Sequence, residues 1–278
     1  MSAATKHITA LTGISETALL TLNGRVRETR RENTVLDDPV AVQVADSLDF
    51  PFRQFGRPRQ GAALRALAFD NHTAAYLQRC PSATVVALGE GLQTSFWRLD
   101  ADIPDGAFRW VTVDLPPVID LRARLLPQSP RITMCAQSAL DYSWMDQVDP
   151  AGGVFITAEG LFMHLRREQV LDLIAECARR FPGACLLFDL IPAWAVAVSR
   201  RRGLRVARHY RTPPLKFGAS TSELRALLTA LPGVRTVQNP PYPPGRGWLL
   251  NRATSLTYRL PGGDRLRNIL TLVEFAEP

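Results

Sequence analysis

The chain has 278 residues, of which 46% are hydrophobic and 21% charged, the balance of a soluble globular protein able to bury a sizeable core. No stretch approaches the roughly 18 apolar residues of a membrane span, and residues 1–24 lack the basic start and apolar run of a signal peptide. The net charge of +7 is nearly all arginine, since Lys6 and Lys216 are the only lysines; no nucleic-acid-binding module accompanies it, so no nucleic-acid partner is expected.

The four cysteines form no C-x-x-C pair and have no histidine at metal-ligand spacing. Buried reduced thiols, no metal and a cytoplasmic location are the expectations.

Along the chain, residues 9–22 are weakly amphipathic and predict a helix. Asp37-Asp38-Pro39 predicts a helix start, with acids before a proline in the first turn. Residues 62–79 carry Leu64, Leu67, Ala68, Ala75 and Tyr76 at helical spacing and stop before Pro81. Strands are then predicted at 84–88, 108–113, 131–136, 153–157, 184–189, 234–238, 256–259 and 270–275, with helices at 116–126, 166–181 and 221–231. This alternation calls for a parallel sheet covered on both faces. The last two predicted strands are close enough for an antiparallel hairpin. Residues 191–219 interrupt the pattern after the fifth strand and predict an inserted helix and loop. Within them Arg201, Arg205 and Arg208 have the spacing of one helical face, suited to an acidic small molecule.

The chemistry concentrates where the first strand, Thr84-Val85-Val86-Ala87-Leu88, runs into Gly89-Glu90-Gly91, and where the second ends at Asp114. A strand, a glycine turn and an acid at the next strand's tip build a nucleoside site. The glycines let a ligand approach the backbone, and the acid accepts hydrogen bonds from ribose hydroxyls. Asp114 follows Gly89 by about 25 positions, near the spacing of such sites. Thr94 stands where a dinucleotide motif has its third glycine, which disfavours an NAD-dependent oxidoreductase without removing it. A cofactor-binding protein without transfer activity is a further alternative. Gly-x-Ser-x-Gly is absent, against a hydrolase.

Four ordered blocks resemble the leucine carboxyl methyltransferase-like family, including its bacterial polyketide carboxyl O-methyltransferases of the tetracenomycin type. They are Val86 to Thr94 with Trp97-Arg98-Leu99; Val113-Asp114-Leu115-Pro116-Pro117-Val118-Ile119; Ser138-Ala139-Leu140-Asp141 with Trp144; and Ala158-Glu159-Gly160-Leu161-Phe162-Met163-His164-Leu165. The resemblance implies an α/β class I methyltransferase (Rossmann-like) domain spanning residues 1–278. Its doubly wound sheet would be mostly parallel, with a C-terminal antiparallel hairpin. Residues 1–80 would form a helical lid, and residues 190–220 an inserted substrate segment.

It also implies S-adenosyl-L-methionine as cofactor and O-methylation of a small molecule, a polyketide-like carboxylate. Carried over by position, Arg65 resembles the arginine that grips the methionine carboxylate, and Arg27 a basic lid residue reaching the cofactor. Gly89 lies under the methionine part, and Gly91 is a further cofactor-binding candidate. Asp114 takes the ribose hydroxyls, Ala139 and Leu140 flank the adenine, Glu159 lies beside the amino group, and Leu115 and Ser138 are further cofactor-binding candidates. Gln93 replaces the family's usual aspartate in this set. His164, His209 and Tyr210 are candidates for the substrate pocket. No catalytic residue is assigned, since a carboxylate acceptor is ionised at neutral pH and needs no base.

Overall fold

A computed structural model describes residues 7–8, 11, 13, 15–56, 60–203, 205–207, 210–260 and 262–277. Three helices come first: α1 (Thr17–Thr29), α2 (Pro39–Asp46) and α3 (Gly61–Arg79). The Asp38-Pro39 signal starts α2 as expected, with the Asp38 carboxylate accepting from Ala41 N at 3.1 Å. The proline occupies a first-turn position that needs no N–H.

The sheet contains β1 (Thr84–Leu88), β2 (Arg109–Asp114), β3 (Ile132–Ala136), β4 (Val154–Ala158), β5 (Cys185–Leu190), β6 (Val234–Gln238) and β7 (Ile269–Phe275). Their order is β6-β7-β5-β4-β1-β2-β3. The pairs among β1 to β5 are parallel, and β7 is antiparallel to both of its neighbours. Helices α4 (Ser95–Asp102), α5 (Pro116–Leu125), α6 (Arg167–Arg180), α7 (Ala193–Arg202), α8 (Thr221–Thr229) and α9 (Trp248–Arg259) complete the described set.

Strand alternation divides the core. Val86 and Leu88 face a layer with α6 and α8, while Val85 and Ala87 face one with α3 and α4. Leu19, Leu22 and Val26 of α1 pack with Val44, Phe55 and, from α5, Val118 and Leu121. Each such buried side chain contributes about 1.5–3 kcal/mol, so the N-terminal helices are held on the domain by a core of their own. A polar clasp adds to it. Arg246, in the segment between β6 and β7, pairs with Glu28 of α1, its Nη2 donating to Oε2 at 2.6 Å. Gln60 exchanges hydrogen bonds with the backbone of the same Arg246, at 3.0 and 2.9 Å.

Three expectations are corrected. Residues 256–259 belong to α9, and the antiparallel partners of β7 are β6 and β5. The run Leu256-Thr257-Tyr258-Arg259 has strand composition, but short apolar runs carry no period of their own. The first helix begins at Thr17 and continues to Thr29, past the predicted end at residue 22. Arg201, Arg205 and Arg208 do not share a helical face. Helix α7 ends at Arg202, Gly203 turns the chain with φ +66°, and Arg205 opens a short strand; Arg208 lies outside the described residues. Among the described residues no helix is long and apolar enough to cross a membrane.

Candidate active site

The strand order reverses at β1, with β2 on one side and β4 on the other. Ligands of open α/β sheets bind beyond the carboxyl ends at such a point. A cavity of about 390 Å³ lies there. It is lined by residues that follow β1 (Gly89, Gly91, Gln93), end β2 (Asp114, Leu115), follow β3 (Ser138, Ala139, Leu140) and follow β4 (Glu159), together with Arg65 of α3. The structure therefore brings ten of the eleven proposed cofactor residues to one cavity.

The eleventh, Arg27, is not among the lining residues. Its Nη1 donates to Gly56 O at 3.0 Å on the exposed side of α1. Arg25 lines the cavity instead. Two residues apart on a helix is about 200° of rotation, so only one of the two can face inward. His164 lines the cavity as expected. His209 lies outside the described residues, as does the side chain of Tyr210.

Two glycines shape the wall. Gly89 has φ +61°, and a Cβ there would come within 2.8 Å of Leu161 Cδ1. Only glycine keeps that turn and the space beside it. Gly160 has φ +70°, and its missing side chain leaves room for the Arg65 guanidinium, whose Nη1 would lie 3.1 Å from a Cβ. Asp114 accepts from Gly91 N at 2.6 Å and Leu115 N at 2.7 Å. These bonds aim its carboxylate and leave further lone pairs for a ligand. Trp144, fully buried, donates its Nε1–H to Ala139 O at 3.1 Å and fixes the 138–140 turn.

Register places Glu159 and Asp189 side by side, since Ala158 of β4 pairs with Phe188 of β5. Arg65 bridges them, with Nε 2.9 Å from Glu159 Oε1 and Nη1 3.5 Å from Asp189 Oδ2. Gly160 N donates to the other oxygen of Asp189 at 2.6 Å. Gln93 donates its amide to Glu159 Oε2 at 2.7 Å and accepts from Arg98 Nη2 at 3.2 Å. Arg98 in turn binds Asp70 at 2.7 Å and Asp38 at 2.6 Å, and Asp38 holds Arg25 at 3.0 Å. Gln93 thus joins the cavity to a buried chain of charges, in which three arginines meet four carboxylates. The surplus is negative and suits a cationic ligand. Glu90, also buried, pairs with Arg122 at 2.9 Å and accepts from Thr112 at 2.5 Å beneath the glycine turn.

Arg25, Asp70 and Asp189 escape a reading of the sequence, and Arg98 enters it only as part of the Trp97-Arg98-Leu99 block. Asp189 carried the available signal, an acid near a strand's end like Asp114.

Burial, then the charges of Arg65 and Lys216, push the His164 imidazole down to about 4. The unfolded chain protonates this group below about pH 6.5, whereas the folded chain keeps it neutral until about pH 4. Stability gained above pH 6.5 is therefore lost as the pH falls through that window, by about 3 kcal/mol. Urea unfolding at pH 7 and 4.5 should show a steeper acid loss for the wild type than for His164→Leu. Equal losses would contradict the assigned burial.

The profile of the leucine carboxyl methyltransferase family matches residues 18–178. The tetracenomycin polyketide synthesis O-methyltransferase TcmP of Streptomyces glaucescens is 29% identical over 228 residues, covering 81% of this chain and 82% of that protein. The S-adenosyl-L-methionine-dependent methyltransferase dpfgK of Gibberella zeae is 27% identical over 188 residues, 62% of each chain. Among solved structures, a candidate methyltransferase from Thermobifida fusca YX superposes with a TM-score of 0.54 at 13% identity, over 92% of this chain and 94% of that one. The S-adenosylmethionine-dependent methyltransferase SibL in its apo form gives 0.52 at 14% identity, over 95% and 70%. These two likenesses support the fold. With its profile matched over more than half of its length, this chain belongs to the leucine carboxyl methyltransferase family and is a methyltransferase.

Proposed function

We propose that the protein is an S-adenosylmethionine-dependent O-methyltransferase acting on a small molecule, a carboxylate of a polyketide-like metabolite. The observation that carries the cofactor reading is the pairing of strand ends around Gly89, with Asp114 on one side and the Arg65–Glu159 pair on the other. A nucleoside with a charged amino-acid tail needs that set: an acid for ribose hydroxyls, an arginine fork for a carboxylate and a surplus acid for an ammonium. Leu115, Ala139 and Leu140 offer apolar contact to a base. When bound, S-adenosylmethionine supplies a methyl carbon on a positively charged sulfur.

The chain's own residues hold, orient and exclude water. Ala18, Leu20 and Thr21 of α1 and Ile191, Thr212 and Leu215 after β5 line the same cavity, so the N-terminal helices and the insert serve as its cover. Closing a site against water strengthens the charges inside it. Among the described lining residues, Glu159 is held by Arg65 and Gln93, and His164 is too weakly basic to take a proton. A carboxylate acceptor releases no proton on methylation, so no base is required. The relation to TcmP, an O-methyltransferase of polyketide synthesis, supports the acceptor class.

Calorimetry with S-adenosylmethionine, S-adenosylhomocysteine and NAD tests the cofactor. Both sulfur compounds should bind and NAD should not. Asp114→Ala should weaken binding by about 1–3 kcal/mol, the worth of charge-assisted hydrogen bonds; an unchanged Kd would remove Asp114 from the site. Labelled methyl recovered as an ester, released by mild base, would support the carboxylate, and a base-stable ether would contradict it.

A further inference from the structure

The cavity extends beyond the proposed cofactor residues toward the segment that follows β5. Its wall there is apolar, from Met163, Leu165, Ile191 and Leu215, and bears two nitrogen groups, His164 and Lys216. Backbone bonds set these two side by side: Lys216 N and Phe217 N both donate to Met163 O, at 2.8 and 3.3 Å, while His164 N donates to Leu161 O at 2.9 Å. Lys216 is exposed at the rim. His164 is only 7% exposed, and its Nδ1 is closed to solvent without a hydrogen-bond partner. Buried polar atoms nearly all find partners, and this imidazole, which lines the cavity, has none at Nδ1, so the ring marks a place for a ligand atom.

We propose that His164 is the specificity-determining donor of the acceptor subsite, its imidazole N–H bonding an anionic oxygen of an aromatic or otherwise apolar acid. This rests on the O-methylation reading and adds the residue that selects the acceptor. The charges around the ring agree with it. Arg65 of α3 and Lys216 of the insert are close enough to act on the ring. The nearby acids, Glu159 and Asp189, are both engaged by Arg65. With Arg65 engaged by both acids, Lys216 at the rim is the cation left to favour an anion, and the buried ring stays neutral. A neutral imidazole donates one hydrogen bond but cannot draw the proton from a phenol, whose ordinary pKa is about 10. The subsite therefore selects acceptors that arrive ionised.

The test uses 2-naphthoate and 2-naphthol, one ring system bearing an acid or a phenol, with the full chain saturated with S-adenosylhomocysteine for binding and with labelled S-adenosylmethionine for transfer. Naphthoate should bind at least roughly tenfold more tightly, as expected for one hydrogen bond to a charged group. Its binding should shift the His164 ring resonance of nitrogen-15 histidine-labelled protein, and its kcat/KM should be flat from about pH 6 to 9. His164→Phe should raise the naphthoate Kd roughly 10–100-fold with the S-adenosylhomocysteine Kd unchanged. His164→Asn, which keeps an amide N–H near the Nδ1 position, should recover most of the loss. Naphthoate binding that leaves the His164 resonance and the His164→Phe affinity unmoved would overturn the residue's role while the acceptor class stands. Preferred methylation of 2-naphthol would overturn the carboxylate reading itself, and binding of neither compound would overturn the proposed subsite.

Discussion

Replacing Asp38 with alanine is expected to destabilise the protein by about 3–5 kcal/mol, with roughly 1 kcal/mol more from the lost α2 cap. Asp38 is fully buried and touches Arg25 at 3.0 Å, Arg98 at 2.6 Å and the Thr94 hydroxyl at 2.6 Å. Alanine would leave two buried guanidinium groups short of an anion. A domain is typically stable by only 5–15 kcal/mol, so the N-terminal helices should separate or the chain unfold. Asp38→Asn keeps the shape and the cap but removes the charge, and should retain the larger part of the loss. Burial alone would raise this carboxyl, but Arg98 and Arg25 outweigh it and hold the group below the usual carboxylate range. Its stabilisation is therefore complete above about pH 4 and disappears only as the pH falls through the lowered folded-state value. Urea midpoints at pH 7 and 3 for wild type and both variants measure this. A wild-type midpoint in Asp38→Ala at pH 7 would show that the charge chain is dispensable.

Arg65→Met should remove cofactor affinity and most methyl transfer. It should also cost about 3–5 kcal/mol at pH 7, because the fully buried Asp189 would lose its cation. The distinguishing sign lies in acid. Without Arg65, the Asp189 carboxyl would be held neutral above its unfolded value of about 3.9, so the variant should recover stability relative to wild type as the pH falls from 7 toward 4. Arg65→Lys keeps a charge without the two-edged fork that reaches both Glu159 and Asp189, and should fall between. Calorimetric Kd for S-adenosylhomocysteine and urea midpoints at pH 7 and 5 check both halves. A deficit that stays constant with pH would place the lost stability somewhere other than Asp189.

The parts of this site legible in the sequence are those written locally. The run into Gly89, the strand ending at Asp114 and the blocks at 138–140 and 158–165 each sit at a strand's end, and a strand followed by a turn is visible over ten residues. The parts that were not legible depend on distance or on phase. Asp189 ends its strand much as Asp114 does, but its purpose comes from Arg65, 124 residues away. Arg25 and Arg27 are both basic residues of one helix, and only the packing of α1 decides which turns inward. Gln93 reads as a lost charge in place of aspartate. In the structure its amide serves two ends at once, donating to Glu159 and accepting from Arg98, where a second carboxylate beside Glu159 would repel it. Residues 256–259 have the composition of a strand and form a helix, because β-branched and aromatic composition is a weak prior that tertiary context overrides.

The clasp between Glu28 and Arg246 joins residues 218 positions apart. During synthesis, at about 5–20 residues per second, the first helices emerge many seconds before the arginine that secures them. The apolar core that α1 shares with α5 can form earlier, so the clasp is a last fastening, added to a wall already in place when nearly the whole polypeptide is available.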